Sequence, residues 1–221
     1  MLTRIAAIAL IALLTAFSGS AQAAPVTIQY QVRVTFVFDP LHVLYPTPVA
    51  IGDILTGTYT FDTDVIDIVE PEPFPCCDFG LYKMSGAPYG MTVNGGPSSS
   101  PFLTIEVFNY DSSDEFNIIS AFPGSPTLAQ GAFQIMLGDP THTALVDDSL
   151  IVPDLNAFAV RTFVIDTSNP TTREGYQING EVISLQQANE VPEPATLTLL
   201  LTGLAVGGPS LCRKVRGGAL L

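Results

Sequence analysis

From Val26 to Phe38 the chain alternates. Val26, Ile28, Tyr30, Val32, Val34, Phe36 and Phe38 stand at every second position, separated by Thr27, Gln29, Gln31, Arg33, Thr35 and Val37. A period of two fits no helix, so these residues predict one long half-buried strand with the apolar set on one face. Shorter stretches behave alike: Thr58 to Phe61, Phe102 to Phe108, Ala132 to Leu137, Ala157 to Ile165 and Tyr176 to Leu185. Within the last, Asn179-Gly180 predicts a hairpin turn, because a type I′ turn needs two residues tolerant of positive φ; Asn94-Gly95 is a second candidate. The 18 Pro and 18 Gly break up any helix of useful length. Short strands with frequent turns and no βαβ alternation predict an all-β domain, an antiparallel β-sandwich or jelly-roll-like ectodomain. No internal repeat of fixed period is evident.

The two ends carry a different pattern. Arg4 precedes an apolar run from Ile5 to Phe17, and Ala21-Gln22-Ala23 follows. A positive start, a short apolar run and a small-x-small site form a signal peptide over residues 1–23, with Ala21 and Ala23 recognised by signal peptidase. A helix over that run is about 20 Å long, short of a roughly 30 Å hydrocarbon core, so cleavage is expected rather than a lasting anchor. Near the other end, Val191-Pro192-Glu193-Pro194 leads into Ala195–Leu211 without a charge, and then into Cys212-Arg213-Lys214-Val215-Arg216. That second run makes about 26 Å of helix, enough for a transmembrane helix at the lower limit of length. Arg213, Lys214 and Arg216 should remain on the cytoplasmic side. Pro192 and Pro194 keep the approach to the helix extended and accessible. The division is therefore a signal peptide (1–23), a β-rich extracellular domain (24–190) and a C-terminal segment (191–216).

That C-terminal succession, VPEPATLTLLLTGLAVGGPSLCRKVR, resembles the PEP-CTERM sorting signal of Gram-negative bacteria. The resemblance implies recognition by exosortase, an integral membrane sorting enzyme resembling Cys proteases. It further implies transient anchoring in the inner membrane, cleavage near Pro192-Glu193-Pro194, and delivery to the cell surface or the medium, often in species that make exopolysaccharide. It covers about 26 residues and fixes no fold for the rest. Two features depart from the pattern: Gly207-Gly208-Pro209 interrupts the apolar stretch, and Gly217 to Leu221 extend beyond the last Arg. A second Pro-Glu-Pro, at 71–73, is followed by Phe74-Pro75-Cys76-Cys77-Asp78 and no apolar span, which reads as a rigid loop. The stretch from Gly52 to Asp64 is similar to the opening of β-rich ectodomains that carry this tag.

Composition sharpens this reading. The 221 residues are 47% hydrophobic and 13% charged, with a formal net charge of -13. Between residues 24 and 190 the only bases are Arg33, Lys83, Arg161 and Arg173, against 20 of the 21 acids. A nucleic-acid partner is thereby excluded, since neutralising phosphates takes Lys and Arg.

Candidate chemistry is sparse. Asp62, Asp64 and Asp67 offer hard oxygens at the short spacing Ca²⁺ takes, but lack the glycine and distal Glu of an EF-hand, and Asp also favours turns for local reasons. Asp111, Asp114 and Glu115 form a similar acidic turn, and Asp147-Asp148 reads as a solvated loop. For Cys76-Cys77 three states stand side by side: a strained vicinal disulfide, an intermolecular bridge or two thiols. Cys212 lies across the membrane from both. His42 and His142 are the only histidines, which rules out a three-His zinc site from one chain. No hydrolase, zinc-protease or nucleotide-binding motif occurs, and no cofactor is expected.

The expected protein is thus not an enzyme. It is an exported component or binder of an exopolysaccharide or biofilm matrix, with exosortase, signal peptidase and the inner membrane as partners. The alternatives are a carbohydrate-active hydrolase working with paired carboxylates and a calcium-dependent adhesin.

Overall fold

The computed structural model describes residues 25–69, 77–97, 100–124 and 129–188. They form β1 (Val26–Phe38), β2 (Ile54–Phe61), β3 (Cys77–Ser85), β4 (Gly90–Val93), β5 (Phe102–Tyr110), β6 (Ser113–Phe122), β7 (Gly131–Asp139), β8 (Val160–Ser168) and β9 (Gly175–Gln187). A single turn of 3-10 helix, Leu155–Ala157, precedes β8. The domain is all-β and every strand pairing is antiparallel. The strands make one continuous sheet in the order β3-β5-β6-β7-β8-β9-β1-β2-β4. The expected signal peptide and transmembrane helix lie outside the described residues.

The sheet curls toward closure, and connectivity shows why it must. β3 and β4 are consecutive in the chain but occupy opposite edges of the sheet. Laid flat, eight strand spacings would hold those edges about 38 Å apart. The link from Ser85 to Gly90 reaches at most about 18 Å. The edges therefore approach one another: β4 touches β5 and β6, and the Asp62 amide at the end of β2 donates to Met84 Sδ on β3 at 3.4 Å. The curled sheet encloses one core cluster in which Ile28, Tyr59, Phe61, Phe116, Phe133, Phe163 and Ile178 are fully buried. Burying each such side chain contributes roughly 1.5–3 kcal/mol.

The strand edges are covered in different ways. On β3 the Leu81 amide donates to Asp67 Oδ1 at 3.0 Å, and the Leu81 carbonyl accepts from the Ile68 amide at 3.1 Å. β4 is only four residues long. Both devices leave little unpaired backbone for another chain to join.

Three sequence expectations need correction. Asn179-Gly180 is not a turn: both residues lie inside β9, opposite Val34 and Phe36 on β1 and Phe163 and Val164 on β8. Gly180 is there for space, since a Cβ would come within 2.2 Å of Val32 Cγ1. The β8–β9 hairpin turns instead at residues 169–174, where Asn169 Oδ1 accepts from the amides of Thr171 and Thr172. Asn94-Gly95 does turn, with Gly95 at φ 77°, but it leads from β4 to β5, which are not paired neighbours. Finally, the β1 alternation breaks. Register shifts fall between Gln31 and Val32 and between Val34 and Phe36, so Phe36 and Phe38 leave the inward set and are 45% and 46% exposed. A β-bulge adds a residue to one strand and re-aims the side chains beyond it. Leaving each ring half exposed forfeits on the order of 1 kcal/mol of burial.

Candidate functional site

The sorting residues Pro192, Glu193 and Pro194, the basic residues Arg213, Lys214 and Arg216, and Ala21 and Ala23 lie outside the described residues. So do Pro71-Glu72-Pro73 and Cys76. The backbone of Cys77 opens β3 opposite Tyr110.

Asp62, Asp64 and Asp67 do not gather around a common point. Asp62 Oδ1 accepts from the Asp64 amide at 2.9 Å, a local turn bond, and Tyr89 donates its hydroxyl to Asp62 Oδ2 at 3.5 Å. Burial, then the charge of Asp62, pushes the Tyr89 hydroxyl above its ordinary pKa. Asp67 Oδ1 is occupied by the amides of Val69 and Leu81. Among the described residues no three His, Cys, Asp or Glu side chains are placed to hold a metal ion. The Asp62 carboxylate caps a turn, and that of Asp67 caps another and covers the β3 edge.

The acidic turn expected at Asp111, Asp114 and Glu115 is also revised. Only Asp111 turns; Asp114 and Glu115 lie within β6 and Asp114 is fully buried. Asp114 stands opposite Asp139 on β7, making a close pair of buried acids. Both are committed to the loop that follows β7. Asp139 accepts from the amide and hydroxyl of Thr141 at 2.9 and 2.7 Å, and from those of Thr143 at 2.8 and 3.0 Å. Asp114 accepts from His142 Nδ1 at 2.8 Å and from the Ala144 and Leu145 amides at 2.9 Å each. The hydroxyl and amide of Thr141, with those of Thr143, hold the Asp139 carboxyl well below the usual carboxylate range. A general acid needs the opposite shift, so Asp139 is not arranged to donate a proton near neutral pH.

A second loop repeats the device. Asp39 accepts from the Val43, Leu44 and Tyr45 amides at 2.8, 3.0 and 3.2 Å. Asp39-Pro40-Leu41-His42 and Asp139-Pro140-Thr141-His142 share the pattern Asp-Pro-x-His, each at the end of a strand, and His42 and His142 both sit at positive φ, 51° and 55°. Pro lacks the amide that would compete for the carboxylate, and His tolerates the left-handed region better than most residues. This repeated tetrapeptide is the sequence signal that marks both loops. Asp147-Asp148 is in a loop as expected, but Asp147 caps Ser149 through both its amide and hydroxyl, and the Asp148 carbonyl accepts from the Tyr82 hydroxyl at 3.0 Å.

On the surface, Phe36 and Phe38 form an outward ledge. With Asp166 and Gln177 these rings border a cavity of about 380 Å³. A smaller depression of about 260 Å³, farther along β1, is lined by Gln29, Gln31, Thr56, Asn94 and Gln186 without a charged side chain. Comparison with known protein families, with curated proteins and with solved structures finds no match for this chain.

Proposed function

We propose that this protein is an exosortase substrate: a β-sandwich-type ectodomain exported across the inner membrane of a Gram-negative bacterium, anchored briefly, and delivered to the cell surface as a non-catalytic component or binder of an exopolysaccharide matrix. The observation that carries the proposal is the order of segments from Val191 to Arg216, in which Pro192-Glu193-Pro194, an uncharged run and three bases follow one another as in the PEP-CTERM signal. Two further observations support the domain's part in it. The strongly acidic stretch between the two terminal segments suits a solvated exported domain. The buried carboxylates Asp39, Asp114 and Asp139 are spent on loop amides, which favours a scaffold over a hydrolase.

Incubation of the processed protein with the producing organism's own exopolysaccharide, scored for retention and for new reducing ends, separates the readings. Retention with no reducing ends is expected. Reducing ends that accumulate with protein concentration would replace the binder with a hydrolase.

A further inference from the structure

We propose that the outer face of β1, β9 and β8 carries a glycan-binding trough, built on Phe36, Phe38, Gln177 and Asp166, that takes an uncharged polysaccharide chain laid across the strands. The inference deepens the matrix-binding reading and rests on it for the source of the glycan, while the binding chemistry is read from the trough.

The bulge after Val34 is the first reason. Without it the alternation that buries Ile28, Tyr30, Val32 and Val34 would carry both rings inward. With it they stand on the outer face, about 7 Å apart along the strand. Bulges recur beside binding and active sites because they re-aim side chains in this way. Two neighbouring exposed rings on a sheet face offer flat apolar surfaces with negative π faces. The polarised C–H groups on one side of a pyranose are matched to such surfaces.

The cross-strand row supplies the polar half. Phe38 is paired with Gln177 on β9, Gln177 with Asp166 on β8, Asp166 with Ala132 on β7, and Ala132 with Ala121 on β6. The cavity at Phe36 and Phe38 meets a second one, of about 470 Å³, at Asp166 and Thr167. The second lies over Ala121 and Ala132, whose small side chains keep the floor low. The trough thus crosses four strand spacings, about 19 Å, from aromatic rings at one end to alanines at the other. Gln177 can donate and accept, and Asp166 can accept from two hydroxyls, the pairing a ring of equatorial hydroxyls requires.

Charge decides which glycan. Neither cavity is lined by a basic residue, and each includes Asp166. An anionic polymer would meet repulsion with no compensating cation, whereas a neutral chain loses nothing. A metal-bridged ligand is disfavoured too, because Asp166 is the single carboxylate among the described residues that line the trough.

The test is affinity electrophoresis of the full chain, held in a detergent without a sugar headgroup, through gels containing hydroxyethyl cellulose, galactomannan, alginate or hyaluronan. Retardation by at least one of the two neutral polymers and by neither anionic one is expected. The double substitution Phe36→Ala/Phe38→Ala should weaken retardation about tenfold or more, since each stacked ring contributes on the scale of an aromatic pair. Gln177→Ala should weaken it severalfold, and Gln31→Ala, outside the trough, should leave it unchanged. Phe36→Tyr/Phe38→Tyr, which keeps flat rings, should retain binding and guards against a folding defect in the alanine variant. No retardation by either neutral polymer overturns the trough, as does equal retardation of the alanine variant. So does a concentration-dependent dimer that the alanine variant abolishes, which would assign the rings to a second copy of the chain. If the host matrix retains wild type and the alanine variant equally, the matrix reading stands and the trough falls.

Discussion

Asp114 and Asp139 face one another across β6 and β7, and together their carboxylates hold the loop from Thr141 to Leu145. Replacing Asp114 by Ala strands the Ala144 and Leu145 amides and removes the partner of His142. Unmet donors at a buried site cost about 1–3 kcal/mol each, so a loss of about 2–4 kcal/mol is expected. Asp114→Asn keeps one acceptor and should lose less. His142→Ala should lose least, because the imidazole is partly exposed. Urea unfolding at unchanged slope measures the ranking.

Asp139 sets an acid limit. Its folded pKa is depressed by Thr141 and Thr143, so its contribution is present above the unfolded value of about 3.9 and is lost as pH falls from there toward the folded value. Melting temperature should show no Asp139 dependence between pH 5 and 8 and should decline below about pH 4. In Asp139→Asn that part of the acid slope should vanish. A variant that keeps the full acid slope would show that other groups set it.

Gly180 tests why a turn-like dipeptide sits in mid-strand. Tyr30 and Phe163, on the strands either side of β9, pack with ring centroids 5.7 Å apart, and Gly180 lies between those strands with Val32 against its Cα. Gly180→Ala should destabilise by about 1–3 kcal/mol through overpacking, lowering the melting temperature by roughly 2–4 °C per kcal/mol. Gly57→Ala should behave alike, since its Cβ would fall 2.0 Å from the Thr92 carbonyl that accepts from the Tyr30 hydroxyl.

Much of the sheet was legible in the pattern of residues. β1 up to Val34, and β2, β5, β7, β8 and β9, fall on the alternating stretches, because each has one face in the core and one in water. The hidden features depend on neighbours. The bulge after Val34 is set by pairing with β9, so nothing local warned that Phe36 and Phe38 turn outward. Asn179-Gly180 has hairpin chemistry, yet tertiary packing needed a missing side chain there. Asp114-Glu115 looked like a solvated turn because the donors that stabilise a buried Asp114 come from residues 142–145, far along the chain. Of the candidate sites, the proposed sorting segment rests on the order of residues 191–216 alone, whereas the Phe36–Gln177–Asp166 row exists only once three strands are in register.

Asp67 distinguishes an edge cover from a calcium ligand. Asp67→Ala frees the Leu81 and Val69 amides and should cost about 1–2 kcal/mol. Millimolar Ca²⁺ should leave the melting temperature of the wild type unchanged. A bound ion at 100 times its dissociation constant would instead add about 2.7 kcal/mol, and such a shift would return Asp62, Asp64 and Asp67 to metal binding.

Intact mass spectrometry of the protein recovered from cells with active exosortase decides whether the chain is sorted as proposed, because one spectrum reads both of its ends. The expected species begins at about Ala24 and has lost the apolar run and basic cluster beyond Pro192-Glu193-Pro194. A species that retains Ala195 through Arg216 in those cells would contradict exosortase processing.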